Sequence, residues 1–381
     1  MGAELHTDFN REVYALLGLP FDAVTLSGAA DRLRAAMKAR QPCLWITPNV
    51  NFVAAARQDP VFRASILKAQ LSTVDGMPLV WLAKWMGIPL PERVSGSDVF
   101  EELCRRNASG DASASTVFLY GGDDGVAQVA HDALNARASG MRSVGWLSPG
   151  RGSVDELSRP TDLAAIRACG ADFLLVSLGA VKGHVWIDRN WAGLNSPVVS
   201  HLGAVINFLA GTVQRAPSWM QRFGMEWLWR IWQENTLWRR YYNDGITLFR
   251  ILRESFFLYR KLDKNWSAQA ASFPARLASS EEGPCVVWAL SGVFTRHALG
   301  ELRQRCDALN QHGADLIVDL EGTKWLDSAA MGVLLMLHAH QLQAGRRLIW
   351  RGETVPKLFA AHGCGHLLLE PGQPAVPLPL G

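Results

Sequence analysis

Polar side chains that could carry acid–base chemistry cluster near the ends of predicted strands early in the chain. Thr47 ends the run CLWIT and Asn49 follows it, Asp75 stands in the turn VDGMP, and Arg93 opens the segment RVSGSD. Ligands of parallel sheets bind outside the carboxyl ends of the strands, so these residues predict a site there. Asp75 could act as a general base that activates a hydroxyl. The spacing equally allows structural roles, because Asp75 could form a turn or cap a helix, and Thr47 and Asn49 are good helix caps.

A glycine-rich turn, GGDDG, follows the predicted strand TVFLY. The backbone N–H groups of Gly121 and Gly122 could hold a phosphate where the next helix begins. The turn matches neither the GxGxxG pattern nor a P-loop, and such turns are often purely structural. Its adjacent aspartates lack the spacing of a metal pair, and the six cysteines are scattered without a CxxC. We therefore predict neither a metal site nor a cofactor.

The elements that must position these residues form two α/β regions. Strand-like runs alternate with helical stretches over residues 40–212, which predicts a Rossmann-like, mostly parallel sheet. Residues 215–266 have a helical period, and 215–264 hold ten Lys and Arg against five Asp and Glu, with five of the fifteen tryptophans. Residues 267–283 are rich in Ala, Ser, Pro and Glu and lack periodicity, which is typical of a linker. A smaller α/β unit follows, with a flexible Pro-rich tail at 371–381.

Composition limits the classes of function. The 381 residues are 49% hydrophobic, enough for two or three domains at about 150 residues each. A net charge of +3 gives no case for nucleic-acid binding. The scattered cysteines and a start without an apolar signal segment indicate a reducing cytosol. The longest stretch free of Asp, Glu, Lys and Arg, residues 190–214, is broken by polar residues and does not read as a spanning helix. We expect a cytoplasmic protein, peripheral on the inner face of the cytoplasmic membrane.

The motifs TPN, VDGMP, RVSGSD, FLYGG, RAPSWMQRFGMEWLWR and WRRY, in this order, resemble the WecG/TagA/CpsF glycosyltransferases (carbohydrate-enzyme family 26). The resemblance covers about residues 10–245. It implies a hexosyltransferase that moves a sugar from a nucleotide-sugar, expected to be UDP-linked, to a polyprenyl-diphosphate-linked acceptor in surface or exopolysaccharide synthesis. It implies Asp75 as the catalytic base, with Thr47, Asn49 and Arg93 in the pocket. It also implies that five appendage arginines reach the lipid diphosphate and the membrane surface: Arg215, Arg222, Arg230, Arg239 and Arg240.

Two positions near the expected donor pocket depart from the family pattern. Where the family has Gln-Glu this chain has Gly183-His184, and where it has an acid beside a small-residue helix this chain has Asn207. His184 could replace the missing acid, or be a partly exposed polar residue at a helix start. We take His184 and Asn207 as donor-pocket candidates. The alternative to an enzyme with another donor is a scaffold that kept the fold and lost turnover.

The segment DLEGTKWLDSAAMGVLL is similar to the STAS domain of anti-sigma-factor antagonists, over about residues 284–370. The similarity implies that Ser328, which follows Asp327, is a phosphorylatable switch on an exposed face that binds a protein partner or a second copy. The local alternative is a helix cap. The predicted organisation is a glycosyltransferase domain at 1–214, the appendage at 215–266, the linker at 267–283, the STAS domain at 284–370 and the tail at 371–381.

Overall fold

The computed structural model describes residues 7–105, 114–137, 139–217, 219–220, 224–233 and 237–369. The chain divides into two compact units. The first unit comprises Val24–Val80 and Pro91–Tyr241. The second comprises the segment up to Ala23, Trp81–Leu90 and the chain from Tyr242 onward. The second unit is therefore assembled from three separate parts of the sequence.

The described strands, in chain order, are β1 (Val13–Leu16), β2 (Leu19–Asp22), β3 (Cys43–Ile46), β4 (Leu71–Ser72), β5 (Ser115–Gly121), β6 (Met141–Leu147), β7 (Phe173–Ser177), β8 (Val198–His201), β9 (Arg276–Glu282), β10 (Cys285–Phe294), β11 (Asp315–Asp319), β12 (Thr323–Leu326) and β13 (Leu348–Arg351). The described α-helices are α1 (Leu26–Ala39), α2 (Val50–Gln58), α3 (Pro60–Leu67), α4 (Met77–Met86), α5 (Gly96–Cys104), α6 (Val126–Asn135), α7 (Pro160–Cys169), α8 (Ala180–Asn190), α9 (Val205–Leu209), α10 (Glu226–Gln233), α11 (Leu237–Ile251), α12 (Phe257–Ser267), α13 (Gly300–Leu309), α14 (Ser328–Gln343) and α15 (Val355–Ala361). A π-helical turn, Leu252–Phe256, joins α11 to α12.

The first unit is built on a six-stranded sheet in the order β4-β3-β8-β7-β5-β6. Every pairing in it is parallel, which confirms the predicted α/β fold. Its strands carry buried side chains such as Trp45 and Phe173, because both faces of a parallel sheet are covered by helices. Since β3 and β4 are neighbours and parallel, the loops that follow them meet at one edge of the sheet.

The second unit holds a five-stranded sheet around the long strand β10. This strand pairs in parallel with β11 and β12 and antiparallel with β9. The predicted linker at 267–283 therefore needs correction, because residues 276–282 are a strand. Leu277 is the one buried residue of β9, and the rest of the strand is exposed. Backbone pairing with β10 stabilises it, and such pairing leaves no hydrophobic period in the sequence.

A hairpin of β1 and β2 also belongs to the second unit, where it packs on α14. This corrects the predicted domain at 1–214. The physical reason is that α14 is buried on every side from Ser328 to Gln341, so it needs a cover opposite the sheet. The approach is close at Gly332, where a Cβ would lie 2.5 Å from the carbonyl oxygen of Val13. Hairpin and helix thus form one core.

Candidate active site

Backbone hydrogen bonds bring three loops together at the carboxyl edge of β3 and β4. The N–H of Asp75 donates to the carbonyl of Pro48 at 3.0 Å, which ties the β4 loop to the β3 loop. The N–H of Val94 donates to the carbonyl of Val74 at 2.8 Å, which adds the third loop. The edge therefore gathers four of the predicted site residues: Thr47, Asn49, Asp75 and Arg93.

Two of these residues have structural roles in the loops. The side-chain oxygen of Asn49 accepts a hydrogen bond from the N–H of Phe52 at 3.2 Å and so caps α2. Its amide nitrogen has no partner within the described part of the chain, so it stays available to a ligand. Thr47 is buried and packs near the start of α5, where a Cβ on Gly96 would lie 3.4 Å from its methyl group.

Asp75 behaves differently from the caps around it. Among the residues that the structure describes, its carboxylate accepts no hydrogen bond, and its ion-pair partner is Arg93, with 3.7 Å between Nη1 and Oδ1. Gly76 follows with φ of +132°, a conformation that favours glycine, and it turns the chain before α4 begins. The side chain of Asp75 is 30% exposed, so a ligand can reach it. The predicted capping alternative for Asp75 is not realised.

Arg93 lies among three carboxylates and is 15% exposed. Its Nη2 donates to Asp98 Oδ2 at 2.6 Å, and its Nη1 donates to Glu226 Oε2 at 3.1 Å. Asp75 is the third and most distant partner. The guanidinium is therefore fixed by its hydrogen bonds to Asp98 and Glu226, and Asp75 makes only the longer ion pair with it.

Asp98 and Glu226 are the site residues that the sequence reasoning missed. Asp98 is anchored by Ser95, whose Oγ donates to its Oδ2 at 2.6 Å and accepts from its N–H at 3.2 Å. The Ser-x-x-Asp spacing of a capping box could have indicated this pair. Glu226 lies 133 residues beyond Arg93 in the sequence, and no local pattern indicates their contact.

The electrostatics of the cluster favour a proton acceptor that works near neutral pH. Burial raises the pKa of Asp75 from 3.8 to about 7; Arg93 opposes this rise and the negative charge of Glu226 adds to it. A carboxylate with a pKa near neutrality is matched to taking a proton from a hydroxyl at neutral pH. The arrangement can therefore bind an anionic group at Arg93 and deprotonate a hydroxyl at Asp75.

The glycine turn after β5 lies elsewhere on the same edge. Four strand steps separate β5 from β4, or about 19 Å at the usual spacing. A Cβ on Gly121 would lie 2.2 Å from the carbonyl oxygen of Ser177, so this residue must be glycine for β5 to approach β7. The N–H of Gly122 donates to the same carbonyl at 3.0 Å. That N–H is therefore already used, and the prediction that it holds a phosphate needs correction.

His184 is not part of the site. It is 1% exposed and packs against the rings of Phe52, Phe62 and His201, with centroids 5.2 to 5.9 Å away. Burial, and then His201, hold its pKa well below the usual range, so it is a neutral core residue. The expectation of a partly exposed or acid-replacing His184 is wrong. Gly183 is confined too, because a Cβ there would lie 2.2 Å from His201.

Asn207 lies on α9, beside Ile206, which would touch a Cβ on Gly122 at 3.4 Å. Its side chain is partly exposed, and its amide makes no hydrogen bond within the described residues. Asn207 thus lies on a helix that packs against α6, the helix after the β5 turn, and its side chain shares no hydrogen bond with Asp75 in the described structure.

The predicted lipid-binding arginines fall into two groups. Arg215 pairs with Asp98 and Glu101, and Arg230 lies 4.0 Å from Glu226, so both adjoin the Arg93 cluster. Arg239 and Arg240 are exposed on α11 beside aromatic rings. Arg222 lies outside the described residues. No helix in the described parts of the chain is both long and apolar enough to span a bilayer.

In the second unit, Ser328 is the first residue of α14 and is 3% exposed. Its Oγ donates to the carbonyl of Ala15 at 2.7 Å, beneath the hairpin. Asp327 is the helix cap and accepts from the N–H of Ala330 at 2.8 Å. The expectation that Ser328 stands on an exposed face is wrong for this chain, because the hairpin covers it.

Comparison with known proteins supports both halves of the sequence reading. Residues 14–261 match the model of the glycosyl transferase WecG/TagA/CpsF family, and residues 277–369 match that of the Mlab, STAS domain. A curated N-acetylglucosaminyldiphosphoundecaprenol N-acetyl-beta-D-mannosaminyltransferase of Bacillus spizizenii is 28% identical over 195 residues, 51% of this chain and 73% of the relative. A protein of the same name from Staphylococcus aureus strain MW2 is 24% identical over 227 residues, 59% of this chain and 85% of the relative.

Proposed function

The chain belongs to the WecG/TagA/CpsF family of glycosyltransferases, and from this premise we propose that it transfers a sugar from a nucleotide-sugar to a sugar linked to polyprenyl diphosphate. The names of the two relatives describe such an acceptor, N-acetylglucosaminyldiphosphoundecaprenol, and an N-acetylmannosaminyl group as the one transferred. The donor is UDP-linked in this proposal. Its setting is surface or exopolysaccharide synthesis.

The proposed chemistry is a single displacement with inversion. Asp75 takes the proton of the acceptor hydroxyl as that oxygen attacks the anomeric carbon of the donor. The bond between this carbon and the diphosphate oxygen breaks, and the leaving diphosphate carries the electron pair away. Arg93 stabilises the developing negative charge, as a fixed cation beside a leaving group does.

The observation that carries this proposal is that the carboxylate of Asp75 has an ion-pair partner, Arg93, but no hydrogen-bond donor within the described residues. This carboxylate lies at the carboxyl edge of the sheet and is partly open to solvent. The caps nearby, Asn49 and Ser95, each accept a backbone N–H. Asp75 alone among these three keeps its acceptors for a ligand.

The lipid-linked substrate requires access to a membrane surface. The appendage presents Trp227, Trp232 and Trp238 with exposed fractions of 42%, 76% and 48%, alongside Arg239 and Arg240. Exposed indoles and arginines suit the headgroup region of an anionic bilayer. We therefore place the protein on the inner face of the membrane. The STAS domain serves as a docking module for a protein partner or a second copy.

The test is sugar transfer by the purified full-length chain with UDP-N-acetylmannosamine and a short-chain prenyl-diphosphate-linked N-acetylglucosamine, followed by mass spectrometry. Asp75→Asn should lower turnover about 100-fold or more without lowering the thermal unfolding temperature. Asp188→Asn is the matched control, since Asp188 has a similar exposure of 33% and pairs with Lys68 on the surface. Asp188→Asn should keep wild-type turnover.

Two results would contradict the proposal. Wild-type turnover in Asp75→Asn would remove this residue from the mechanism. No transfer by the wild type from any UDP-sugar tested would favour the scaffold alternative. That alternative drew on the change at Gly183 and His184, and both residues are buried core positions.

A further inference from the structure

Glu226 holds the guanidinium that a diphosphate would need. In the described structure Arg93 Nη1 donates to Glu226 Oε2 at 3.1 Å and lies 3.7 Å from Asp75. Carboxylate and phosphate oxygens are alternative partners for the same N–H groups of arginine. An anionic ligand that approaches Asp75 from solvent must therefore compete for Arg93.

The three carboxylates around Arg93 differ in how firmly they are held. Asp98 is anchored by Ser95 and by Arg215, so it is a fixed part of the site. Glu226 has one partner besides Arg93 within the described residues, Arg230 on the same helix, with 4.0 Å between Nε and Oε1. Of the two carboxylates that accept a hydrogen bond from Arg93, Glu226 is thus the one that can leave it, and Arg230 is already positioned to receive it.

We propose that Glu226 is a positioning residue that holds the place of the substrate diphosphate at Arg93 and moves to Arg230 when the diphosphate binds. This inference rests on the proposed function for the identity of the ligand. Because Glu226 is the first residue of helix α10, the inference also implies that the start of this helix differs between the diphosphate-bound and the diphosphate-free protein.

The position of Glu226 beside Arg93 also affects the pKa of Asp75, the proposed base. The charged groups that face Asp75 are Arg93, Asp98, Glu226 and Arg230. With Glu226 at Arg93, its negative charge raises the pKa of Asp75. Replacing Glu226 with a neutral side chain should therefore let Asp75 ionise at lower pH. A residue with only a structural role would lower turnover at every pH alike.

The first test is calorimetric titration of the full-length protein with inorganic pyrophosphate. Glu226→Gln should tighten binding about fivefold or more, since one competing ion pair is removed. Glu102→Gln is the matched control, because Glu102 has the same exposed fraction of 23% and pairs with Arg105 instead. It should bind pyrophosphate as the wild type does. Equal or weaker binding by Glu226→Gln, both of pyrophosphate and of the two ligands named below, would overturn the proposal.

Two further arms identify the source of the diphosphate. Titration with UDP represents the donor, and titration with farnesyl diphosphate represents the lipid. The ligand whose affinity rises in Glu226→Gln is the one that Arg93 takes, and either result supports the proposal. No rise with any of the three ligands contradicts it.

The second test is the pH dependence of sugar transfer. The acidic limb of Glu226→Gln should move to lower pH than that of the wild type, while Glu102→Gln should follow the wild type. An unmoved limb with uniformly reduced turnover would reduce Glu226 to a structural role. If the wild type transfers no sugar, the proposed function fails, but the pyrophosphate titrations still decide the role of Glu226.

Discussion

Asp75 and Asp327 occupy the same kind of position in the two units and are used in opposite ways. Each follows a short buried strand and precedes a helix, β4 and α4 in one case and β12 and α14 in the other. Asp327 accepts from the N–H groups of Ala330 at 2.8 Å and Arg296 at 2.6 Å. Asp75 accepts from no donor in the described structure and faces Arg93 at 3.7 Å.

The two aspartates differ in the residue that follows each of them and in whether another segment covers that residue. Gly76 turns the chain away with φ of +132°, so one residue separates Asp75 from Met77, the first residue of α4. Ser328 instead continues directly into α14, and the hairpin closes over it. A carboxylate whose acceptors are filled by backbone N–H groups stabilises the fold. One whose acceptors are empty and reachable can act on a ligand.

The largest effect that tests this contrast is expected at Ser328. Ser328→Asp places a carboxylate against the carbonyl oxygen of Ala15, two acceptors with no proton between them, in a buried site. We expect a loss of roughly 3 kcal/mol or more in the free energy of unfolding. Ser328→Ala should lose about 1 kcal/mol. Urea unfolding of the full-length chain measures both. Ser328→Asp as stable as wild type would mean that the hairpin opens readily and that the face is available for docking.

Substitutions at the two aspartates should affect the stability of the fold differently. Asp327→Ala should lower the free energy of unfolding by about 1 to 2 kcal/mol, because a helix cap is removed. Asp327→Asn should lose less, since asparagine also caps. Asp75→Asn should not lower the stability, because the Asp75 carboxylate accepts no hydrogen bond within the described residues. Denaturant unfolding followed by circular dichroism separates these outcomes, and a clearly destabilised Asp75→Asn would make Asp75 a structural residue after all.

A third effect is the pH dependence of stability. Burial raises the pKa of Asp75 to about 7, so the folded protein binds this proton more readily than the unfolded chain. The ionised carboxylate therefore costs stability that is absent below about pH 4 and fully present above about pH 7. Asp75→Asn should become more stable than wild type as pH rises from 5 to 8. Transfer by the wild type should fall as the pH drops below 7. A pH-independent stability difference would show that Asp75 has an ordinary pKa.

Much of the first sheet and the loops at its edge could be predicted from the sequence. The runs at 43–47 and 172–178 become β3 and β7, because short apolar segments between turns are buried strands in a parallel sheet. The meeting of Thr47, Asn49 and Asp75 follows from the adjacency of β3 and β4, and Arg93 joins them through the hydrogen bond from Val94 to Val74. The different roles of Asn49 and Asp75 could not be predicted, because both residue types cap helices equally well. Only the structure shows that Asn49 is a cap and Asp75 is not.

The features that could not be predicted depend on contacts between distant parts of the chain. His184 is polar at the start of a helix, and it is buried by Phe52, Phe62 and His201 from other elements. The hairpin joins the C-terminal unit through α14, whose apolar surface on all sides indicates burial but not the segment that covers it. Glu226 reaches Arg93 across 133 residues.

The hydrogen bond between Ser328 and Ala15 also sets an order of events during synthesis. The two residues are 313 positions apart. At about 5 to 20 residues per second, a ribosome needs roughly 15 to 60 s to make the helix after making the hairpin. The whole first unit emerges in that interval and can fold while Val13 and Phe21 still lack their cover. Nascent chains stalled before residue 328 should therefore be cut by protease within residues 7–23, where finished chains resist. The chain's earliest segment is among the last to reach its native place.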